Sequence, residues 1–521
     1  MAEMSGASTV VSEGNEGEKH NSIDDSGERK HKRLKCDEKD DQDFISELPD
    51  CLIQHILSFL PLTEYAIRTG ILSKRWLNQW TYLPTLIFKS NGMSIDCFSD
   101  CIDNTLSFFN FWKINKFVID SRDSHTGELR HKLIRWIRFA TRRHVKELIL
   151  KCETQEGDED FIEDHDLPRL LFKNAFLVKL KTHGFIFRLR EGEVNWASLK
   201  ALHIGYADLP NQGIENVLYG SPVIEFLELC NCDGFEDLVI ASKSLKTFRM
   251  IQCQDHTSAI EISCPNLEKL EMLGKLRFKS LKFKDLPSSV CATLNFENDI
   301  CLHYLGNDKL KWVLEFLLQF QHVEELKLGP WFFMFLSLAA LRGESTLLLN
   351  NKCLTVVDFC PEVAHLGLSI SQLRFSLLEK LVLQLHPKER FDLDLMGSRS
   401  STRMRKKYAE LKDGVFDSLV SHLKTFEIVG LHYLWSNGGG ERKDTFKFIR
   451  FLFTKARMLE KIVFVEAPGE GMIFVHKVCK KLSCIRKASP HVIVEVACLK
   501  RHDSDSDSDS DSNSDWDKVE C

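Results

Sequence analysis

A spaced apolar pattern recurs along most of this chain and constrains its fold more than any other feature of the sequence. In the clearest copies, three residues follow the spacing apolar-x-x-apolar-x-apolar, and their first positions lie 25, 21 and 22 residues apart. A single unit of this size cannot cover its own apolar face, so neighbouring units stack and share one core. The clearest copies are Leu199/Leu202/Ile204, Ile224/Leu227/Leu229, Leu245/Phe248/Met250 and Leu267/Leu270/Met272.

Fainter copies extend the series in both directions. In every copy except Leu177/Leu180 the last two apolar residues flank a single residue, which predicts a short strand with alternate side chains pointing inward. A period of about 20–29 residues is typical of leucine-rich repeats. We therefore expect an α/β fold in which an irregular leucine-rich-repeat solenoid carries a parallel sheet on its concave face. The fainter copies are Leu83/Leu86/Phe88, Ile114/Phe117/Ile119, Val145/Leu148/Leu150, Leu177/Leu180, Cys291/Leu294/Phe296, Val323/Leu326/Leu328, Leu354/Val357/Phe359, Leu378/Leu381/Leu383, Leu423/Phe426/Ile428 and Leu459/Ile462/Phe464.

Two of the clear copies also carry a cysteine three residues after their last apolar position, at Cys232 and Cys253. Leucine-rich repeats place Asn or Cys at that position. The cysteines therefore favour the same interpretation as the apolar spacing.

Negative charge is concentrated at the two ends of the chain. Residues 1–43 carry a formal charge of −5 and residues 503–521 carry −7, so the body between them is +6 within a total of −6. Both ends have little apolar content, and such segments cannot bury enough surface to offset the entropy lost on ordering. We predict disordered acidic tails over residues 1–42 and 499–521. The charge of the body is too small to indicate a nucleic-acid partner.

A basic run interrupts the N-terminal tail at residues 29–35. Basic residues clustered in a flexible segment fit a nuclear import signal, and a solvated charge run is the alternative. We therefore expect a nuclear location, a cytoplasmic one or both. The candidate import residues are Lys30, Lys32, Arg33 and Lys35.

Three other charged segments each have two interpretations. Residues 153–166 hold eight acids and residues 397–412 hold six bases. Each is either a binding loop of the repeats or a solvated loop. The alternating Asp and Ser after residue 503 suit an acidophilic kinase, and a solubilising tail explains them equally well.

Three short helices are predicted over residues 43–80. Proline and aspartate favour a helix start at Pro49–Asp50, and apolar residues at helical spacing continue that helix to Pro61. A second helix is expected over Thr63–Thr69, and a third starts near Ser73 with Trp76 and Trp80 on one face. Such a segment is too small to be stable alone and has more apolar residues than its own core needs, so it should pack on a partner. The stripe of the first helix is Leu52, Ile53, Ile56, Leu57 and Leu60.

This helical segment closely resembles the F-box that heads plant leucine-rich-repeat proteins. Two departures from the family pattern, Cys51 and residues 62–65, lie away from its main apolar ridge. The resemblance is carried by Leu48-Pro49-Asp50, Ile56-Leu57-Ser58-Phe59-Leu60-Pro61, Arg68-Thr69, Leu72-Ser73-Lys74-Arg75-Trp76 and Trp80.

The C-terminal part resembles the FBD domain that closes many plant F-box/leucine-rich-repeat proteins. The matching stretches lie at residues 423–427, 448–449, 456–461, 480–482 and 488–490. The predicted organisation is a tail (1–42), an F-box (43–89), leucine-rich repeats (90–414), an FBD domain (415–498) and a second tail (499–521).

The resemblance implies a non-catalytic substrate receptor of a Skp-cullin-F-box ubiquitin ligase. The F-box would dock on a Skp-type adaptor, which would bring a cullin and its RING subunit, and the repeats would hold an unidentified target protein. For Trp76 and Trp80 the residues alone do not separate adaptor contact from the core of the F-box. The residues expected at the adaptor are Leu48, Pro49, Ile56, Leu57, Leu60, Leu72, Ser73, Arg75, Trp76 and Trp80.

Other function classes have less support in the sequence. An interaction scaffold that never assembles a ligase remains the alternative, and a nucleic-acid binder would rest on residues 29–35 and 399–407 alone. The phosphate-binding, zinc-protease and serine-hydrolase motifs are absent from the sequence, so we expect neither an enzyme nor a cofactor or metal. The longest apolar stretch, Trp331–Leu341, has 11 residues, fewer than the ~20 that span a bilayer. We therefore expect no membrane partner.

Overall fold

The structure is a computed structural model. It describes residues 45–498 except residues 46, 122–126, 153–166, 186, 188, 190–191, 211, 236, 254–258, 276–279, 298–306, 360–362, 386–401, 404–405, 409, 411–412, 431–441, 467–474, 477, 481, 483 and 486–487. The basic run, the acidic insertion at 153–166, both tails and most of the basic insertion at 397–412 lie outside the described residues.

The chain divides into two compact units, Met1–Leu48 and Pro49–Cys521. In the described part of the first unit, the Leu48 amide donates a hydrogen bond to the carbonyl of Ile45 at 3.4 Å. The second unit holds the helices and strands. Its α-helices are α1 (Asp50–Ser58), α2 (Thr63–Arg68), α3 (Ile95–Phe108), α4 (Gly127–Arg142), α5 (Arg169–Phe172), α6 (Gly213–Tyr219), α7 (Asn307–Leu318), α8 (Pro330–Arg342), α9 (Val363–Ser371), α10 (Asp417–Val420) and α11 (Arg442–Lys455).

Strands lie between and after these helices in the second unit, and several of them follow one another directly. They are β1 (Thr85–Lys89), β2 (Lys116–Ser121), β3 (Glu147–Cys152), β4 (Lys179–His183), β5 (Ala201–Gly205), β6 (Phe226–Cys230), β7 (Asp237–Ala241), β8 (Thr247–Ile251), β9 (Ala259–Ser263), β10 (Lys269–Lys275), β11 (Ser280–Lys284), β12 (Cys291–Glu297), β13 (Glu325–Leu328), β14 (Leu347–Leu349), β15 (Cys353–Phe359), β16 (Leu373–Phe375), β17 (Lys380–Leu385), β18 (Thr425–Val429), β19 (Lys461–Glu466) and β20 (Ile493–Cys498).

A single parallel sheet runs through the second unit, as the repeat pattern predicts. Fifteen strands of the described residues pair in the order β1-β2-β3-β4-β5-β6-β8-β10-β12-β13-β15-β17-β18-β19-β20. Because every strand adds to the next in parallel, equivalent positions of successive repeats lie side by side. The mixed α/β class predicted from the sequence is confirmed.

One row of inward-facing residues passes through all fifteen strands and forms the centre of the core. Every member except Val494, in the last strand, has no exposed surface. Burying an apolar side chain of this size stabilises the fold by about 1.5–3 kcal/mol relative to leaving it exposed. The row is Leu86, Phe117, Leu148, Leu180, Leu202, Leu227, Phe248, Leu270, Ala292, Leu326, Leu354, Leu381, Phe426, Ile462 and Val494.

Two of the predicted copies are out of register with this row. The row passes through Ala292, where the sequence pattern placed Leu294. It also passes through Leu354 at the middle position, where the pattern placed Val357. The leading position of that second repeat is held by Asn351, whose buried amide donates to the carbonyls of two residues in the preceding repeat. The apolar pattern therefore missed the register of both repeats, because Ala292 and Asn351 hold positions where it expects a large apolar side chain.

Cys232 and Cys253 do hold the positions that a repeat gives to Asn or Cys. Both are buried, and their thiols lie 3.5 and 3.6 Å from the carbonyl oxygens of Ile204 and Leu229 in the preceding repeats. Burial raises the pKa of the Cys232 thiol well above its ordinary value, so the proton needed for this donation stays in place. Each cysteine thus satisfies a carbonyl of the repeat before it.

A second, three-stranded parallel sheet was not anticipated from the sequence. It pairs β7, β9 and β11 with β9 in the middle. Along β11 the side-chain amide of Gln319 accepts a hydrogen bond from the Phe283 amide at 3.2 Å and donates to the carbonyl of Leu281 at 3.3 Å. Gln319 therefore pairs part of the edge that β11 would otherwise leave open.

The long apolar stretch Trp331–Leu341 lies within α8. Most of its side chains are buried, and α8 packs against α9, with the Ser337 and Ser369 hydroxyls 2.8 Å apart between them. This helix is buried on all sides because it lies in the protein core. Among the described residues, no helix is both long enough and apolar enough to cross a membrane.

Candidate functional site

Helix α1 carries two apolar faces, and only one of them is buried. Ile53 and Leu57 are 0% and 1% exposed, whereas Leu52, Ile56 and Phe59 are 46%, 45% and 73% exposed. At about 100° per residue, the exposed set spans positions i, i+4 and i+7 and so forms one stripe. The single stripe predicted from the sequence is therefore wrong, because it joined residues of both faces.

The second and third predicted helices differ from the expectation. Helix α2 passes directly into a 3-10 turn over Thr69–Ile71, so Gly70 does not end the helical segment. The third helix is a 3-10 helix over Trp76–Tyr82, where an ordinary helical face had been expected. In this tighter helix both tryptophans still point inward, and Trp76 and Trp80 are 4% and 6% exposed.

Polar contacts join α1 to the 3-10 segment. The Arg75 guanidinium donates to the Asp50 carboxylate at 3.0 and 2.7 Å, and the Gln54 amide donates to Gln79 at 3.1 Å. The hydrogen bonds from Arg75 hold the pKa of Asp50 below its ordinary value. The helices are thus fixed to one another by a charged pair at the surface as well as by the tryptophans inside.

The helical segment is also tied to the first strand of the sheet. The Ile87 amide, on the free edge of β1, donates to the Thr63 hydroxyl at 2.7 Å. Thr63 is the first residue of α2 and is buried. One backbone group at the start of the sheet is therefore paired with the helices, which limits edge-to-edge association there.

An apolar surface remains exposed on the helical segment after its own core is filled. We call it the exposed helical surface. Within it, Leu52, Ile56 and Phe59 form one stripe, and an exposed apolar patch on a soluble protein often marks a binding site. Only Ile56 and Leu72 of the eight members of this surface are among the residues predicted at the adaptor, although the surplus of apolar residues in this short segment already indicated a partner. The members of the exposed helical surface are Leu52, Ile56, Phe59, Tyr65, Ile71, Leu72, Leu77 and Tyr82.

The structure places the residues predicted at the adaptor in three groups. Pro49, Ile56, Leu72 and Arg75 are exposed. Leu48, Leu60 and Ser73 are half-buried, and Leu48 belongs to the first unit. Leu57, Trp76 and Trp80 are buried within the chain and offer little surface to a partner. The first group is therefore accessible to a partner, and the last group belongs to the packing beneath it.

No group of three or more His, Cys, Asp or Glu side chains with metal-binding geometry occurs among the described residues. The described cysteines of the helical segment and repeats are free thiols. Burial raises the pKa of Cys230 and Cys353 to about 11 and of Cys291 to about 12. These thiols therefore remain protonated and unreactive near neutral pH.

Comparison with protein families assigns three parts of the chain. The F-box domain matches residues 45–88, which contain the exposed helical surface. A model described as "FBD-associated F-box protein At5g56370, LRR repeats" matches residues 133–290, and the FBD domain matches residues 412–464.

Curated relatives from Arabidopsis thaliana match about three fifths of the chain. F-box/LRR-repeat protein At5g02910 is 32% identical over 339 residues, which are 61% of this chain and 67% of the relative. Putative F-box protein At1g49610 is 31% identical over 326 residues, which are 61% of this chain and 77% of the relative. This chain belongs to the F-box/LRR-repeat family. The matched part spans about two thirds of the length of the first relatives.

Membership of the F-box/LRR-repeat family connects the helical segment to a general class of partner. F-box domains generally bind Skp-type adaptors, and the exposed helical surface lies on that domain. The predicted family resemblance is therefore confirmed for the F-box, the repeats and the FBD domain.

Proposed function

We propose that this F-box/LRR-repeat protein is the substrate-recognition subunit of a Skp-cullin-F-box ubiquitin ligase. The observation that carries the proposal is the exposed helical surface. It presents Ile56 and Leu72, at 45% and 61% exposure, on a domain whose class binds Skp-type adaptors. Apolar anchors of this kind supply most of the affinity of protein interfaces.

In this function the protein contributes binding and orientation. The adaptor would connect the F-box to a cullin with its RING subunit and a ubiquitin-loaded enzyme, and the repeat sheet would hold the target. Holding two reactants in one assembly converts a bimolecular encounter into an effectively unimolecular step. Reaction chemistry would belong to the other subunits.

Adaptor binding tests the proposal. The full chain and its Ile56→Arg/Leu72→Arg variant are each co-purified with a recombinant Skp-type adaptor. We expect a one-to-one complex with the natural chain and its loss in the variant, because two charges would enter an apolar interface. Leu170→Arg is the matched control, since Leu170 is 43% exposed on helix α5 of the repeats.

Unfolding curves show whether a variant that loses adaptor binding is still folded. Ile56, Leu72 and Leu170 are all exposed, so each variant should retain the stability of the natural chain within about 0.5 kcal/mol. A natural chain that is folded but forms no adaptor complex would contradict the proposal. An adaptor complex that never recruits the cullin would instead support an interaction scaffold.

The location of the protein is a separate proposal. We propose that residues 29–35 direct import into the nucleus, because they join five Lys or Arg residues within seven positions. Replacing Lys30, Lys32, Arg33 and Lys35 by Ala in a fluorescently tagged full chain should shift the protein toward the cytoplasm. An unchanged distribution would leave these residues as a solvated charge run.

A further inference from the structure

The outward face of the central strands carries charges that are already paired with one another. Glu228 lies 3.1 Å from the ring of His203 and 2.7 Å from Arg249. Arg249 reaches Glu271 at 2.6 Å on the next strand, and Lys269 lies 2.9 Å from the same carboxylate. Because these charges neutralise each other within the chain, they offer little attraction to a charged partner.

Strand β4 differs from its neighbours. Lys179, Lys181 and His183 occupy alternate positions, so all three side chains lie on the outward face. Within the part of the chain that the structure describes, neither lysine ammonium has a hydrogen bond or an ion pair. Lys151 on β3 is in register with His183 and lies 4.0 Å from Asp120. This strand therefore presents a line of basic groups whose two lysines are open to a partner.

Strand β5, beside β4, carries small residues next to two of these three basic residues. In β5 the outward positions next to Lys179 and His183 are Ala201 and Gly205, which carry almost no side chain. A Cβ atom added to Gly205 would lie 2.9 Å from the His183 ring, so the ring occupies the space that a larger residue would take. The space beside Lys179 is therefore open next to Ala201, whereas His203 fills the position beside Lys181.

The imidazole at the end of the line can hydrogen-bond without adding charge. Burial, together with the charges of Lys181 and Lys151, lowers the pKa of His183 to about 4, so the ring is neutral at physiological pH. Its Nδ1 atom is buried and has no hydrogen-bond partner among the described residues.

We propose that β4 binds an extended segment of the target protein that carries acidic side chains at alternate positions. In an extended chain, side chains two residues apart lie about 6.6 Å apart on one face, which is also the spacing of Lys179 and Lys181 along their strand. A segment crossing the strands would instead meet the paired carboxylate of Glu228 two strands away. The inference rests on the proposed function, because it names the chemistry of the target.

Glu147 limits where the acidic side chains can bind. It lies in register with Lys179 on the neighbouring strand and would repel a carboxylate placed between them. Lys181 has Ile149 and His203 as its register neighbours, and the acid whose pKa it helps to lower, Glu228, lies one strand further away and is already paired with His203 and Arg249. We therefore expect Lys181 to contribute more to binding than Lys179.

Peptide binding to the full chain tests this inference. The probe is a fluorescent nine-residue peptide of alternating Glu and Ser, and its control has the same composition with the glutamates in one block. We expect the alternating peptide to bind more tightly, with an affinity that falls as salt is raised. Lys179→Glu/Lys181→Glu should weaken binding about tenfold, since each removes an attraction and adds a repulsion.

The matched control is Lys116→Glu on β2, another outward lysine at the equivalent strand position. It should leave peptide binding unchanged. Equal affinity for the two peptides, or an equal loss in the Lys116 variant, would overturn the inference. So would binding that appears only after Asp503, Asp505, Asp507, Asp509 and Asp511 are changed to Asn, because the chain's own tail would then be the occupant. Retained adaptor binding in each variant separates this failure from a failure of the proposed function.

Discussion

Neighbouring residues of helix α1 have opposite surroundings, and this difference decides what each can do. Leu57 is buried against the helices behind it, whereas Ile56 is about half exposed. Both are apolar and adjacent, so the sequence predicted one shared role for them. Only the packing of Trp76 and Trp80 behind one face of the helix separates core from surface, and that packing depends on residues distant along the chain.

Alanine substitutions should therefore separate stability from binding in α1. Leu57→Ala should lower the free energy of unfolding by about 2–5 kcal/mol, because it leaves a cavity in the core. Ile56→Ala should change that free energy by less than about 0.5 kcal/mol and weaken adaptor binding by about 2 kcal/mol. Urea unfolding and a binding titration measure the two effects. The reverse assignment of effects would contradict the two-faced helix.

Asp50 makes the stability of the F-box depend on pH. The Arg75 guanidinium lowers the pKa of this carboxyl from 3.8 in the folded chain. A lowered folded-state pKa gives a stabilisation that is present above the unfolded pKa and is lost as pH falls through the folded value. The natural chain should therefore have a higher melting temperature than Asp50→Asn at pH 6. This difference in melting temperature should disappear below pH ~3.8. A difference in melting temperature that grows as the pH falls would show that Arg75 and Asp50 do not form an ion pair.

At the scale of the elements, the sequence predicted strands better than it predicted their surroundings. Leu202/Ile204 and Leu227/Leu229 show the apolar alternation that a half-buried strand requires, and both pairs lie in strands of the sheet. The same alternation occurs in β7, β9 and β11 and could have predicted the second sheet. It was overlooked because the repeat pattern had assigned those residues to the segments between strands.

Other elements could not be read from one sequence. The tryptophan segment has the spacing of an α-helix but folds as a 3-10 helix over Trp76–Tyr82. Ala292 and Asn351 hold repeat positions that usually carry leucine, so apolar spacing alone shifted two repeats. In both repeats the neighbouring strands fix the register, and those contacts are long-range.

Gln319 provides a test of the second sheet. Its amide pairs with the backbone of Leu281 and Phe283 on the edge of β11. Gln319→Ala should speed hydrogen exchange of the Phe283 amide, because that amide loses its acceptor. Gln321→Ala, two residues further on at an exposed position, is the control and should leave the exchange rate unchanged. Equal rates in all three proteins would contradict the edge contact.

At the scale of the whole second unit, the two ends of the long sheet differ. The first strand is joined to the F-box helices through Thr63, whereas Val494 and Val496 of the last strand are only half-buried. In a repeat array each unit is stabilised by its neighbours, so interior residues matter most. The core should therefore be more sensitive to substitution in the middle of the sheet than at its end.

Substitutions along the inward-facing row measure this difference in sensitivity between the middle and the end of the sheet. Leu270→Ala in β10 should lower the free energy of unfolding by about 2–5 kcal/mol, because its side chain is fully buried. Val494→Ala in β20 should cost less than about 1 kcal/mol, since its side chain is already partly in water. Urea unfolding gives both values. An equal loss in the free energy of unfolding for both variants would show that the last strand is packed as tightly as the middle of the sheet.

Recruitment of a cullin tests the receptor function most directly. The full chain, a Skp-type adaptor and a cullin are mixed and separated by size, with the Ile56→Arg/Leu72→Arg variant as the comparison. The account predicts one complex containing all three proteins with the natural chain, and only the adaptor–cullin pair with the variant. A folded natural chain that elutes apart from the adaptor and the cullin would contradict it.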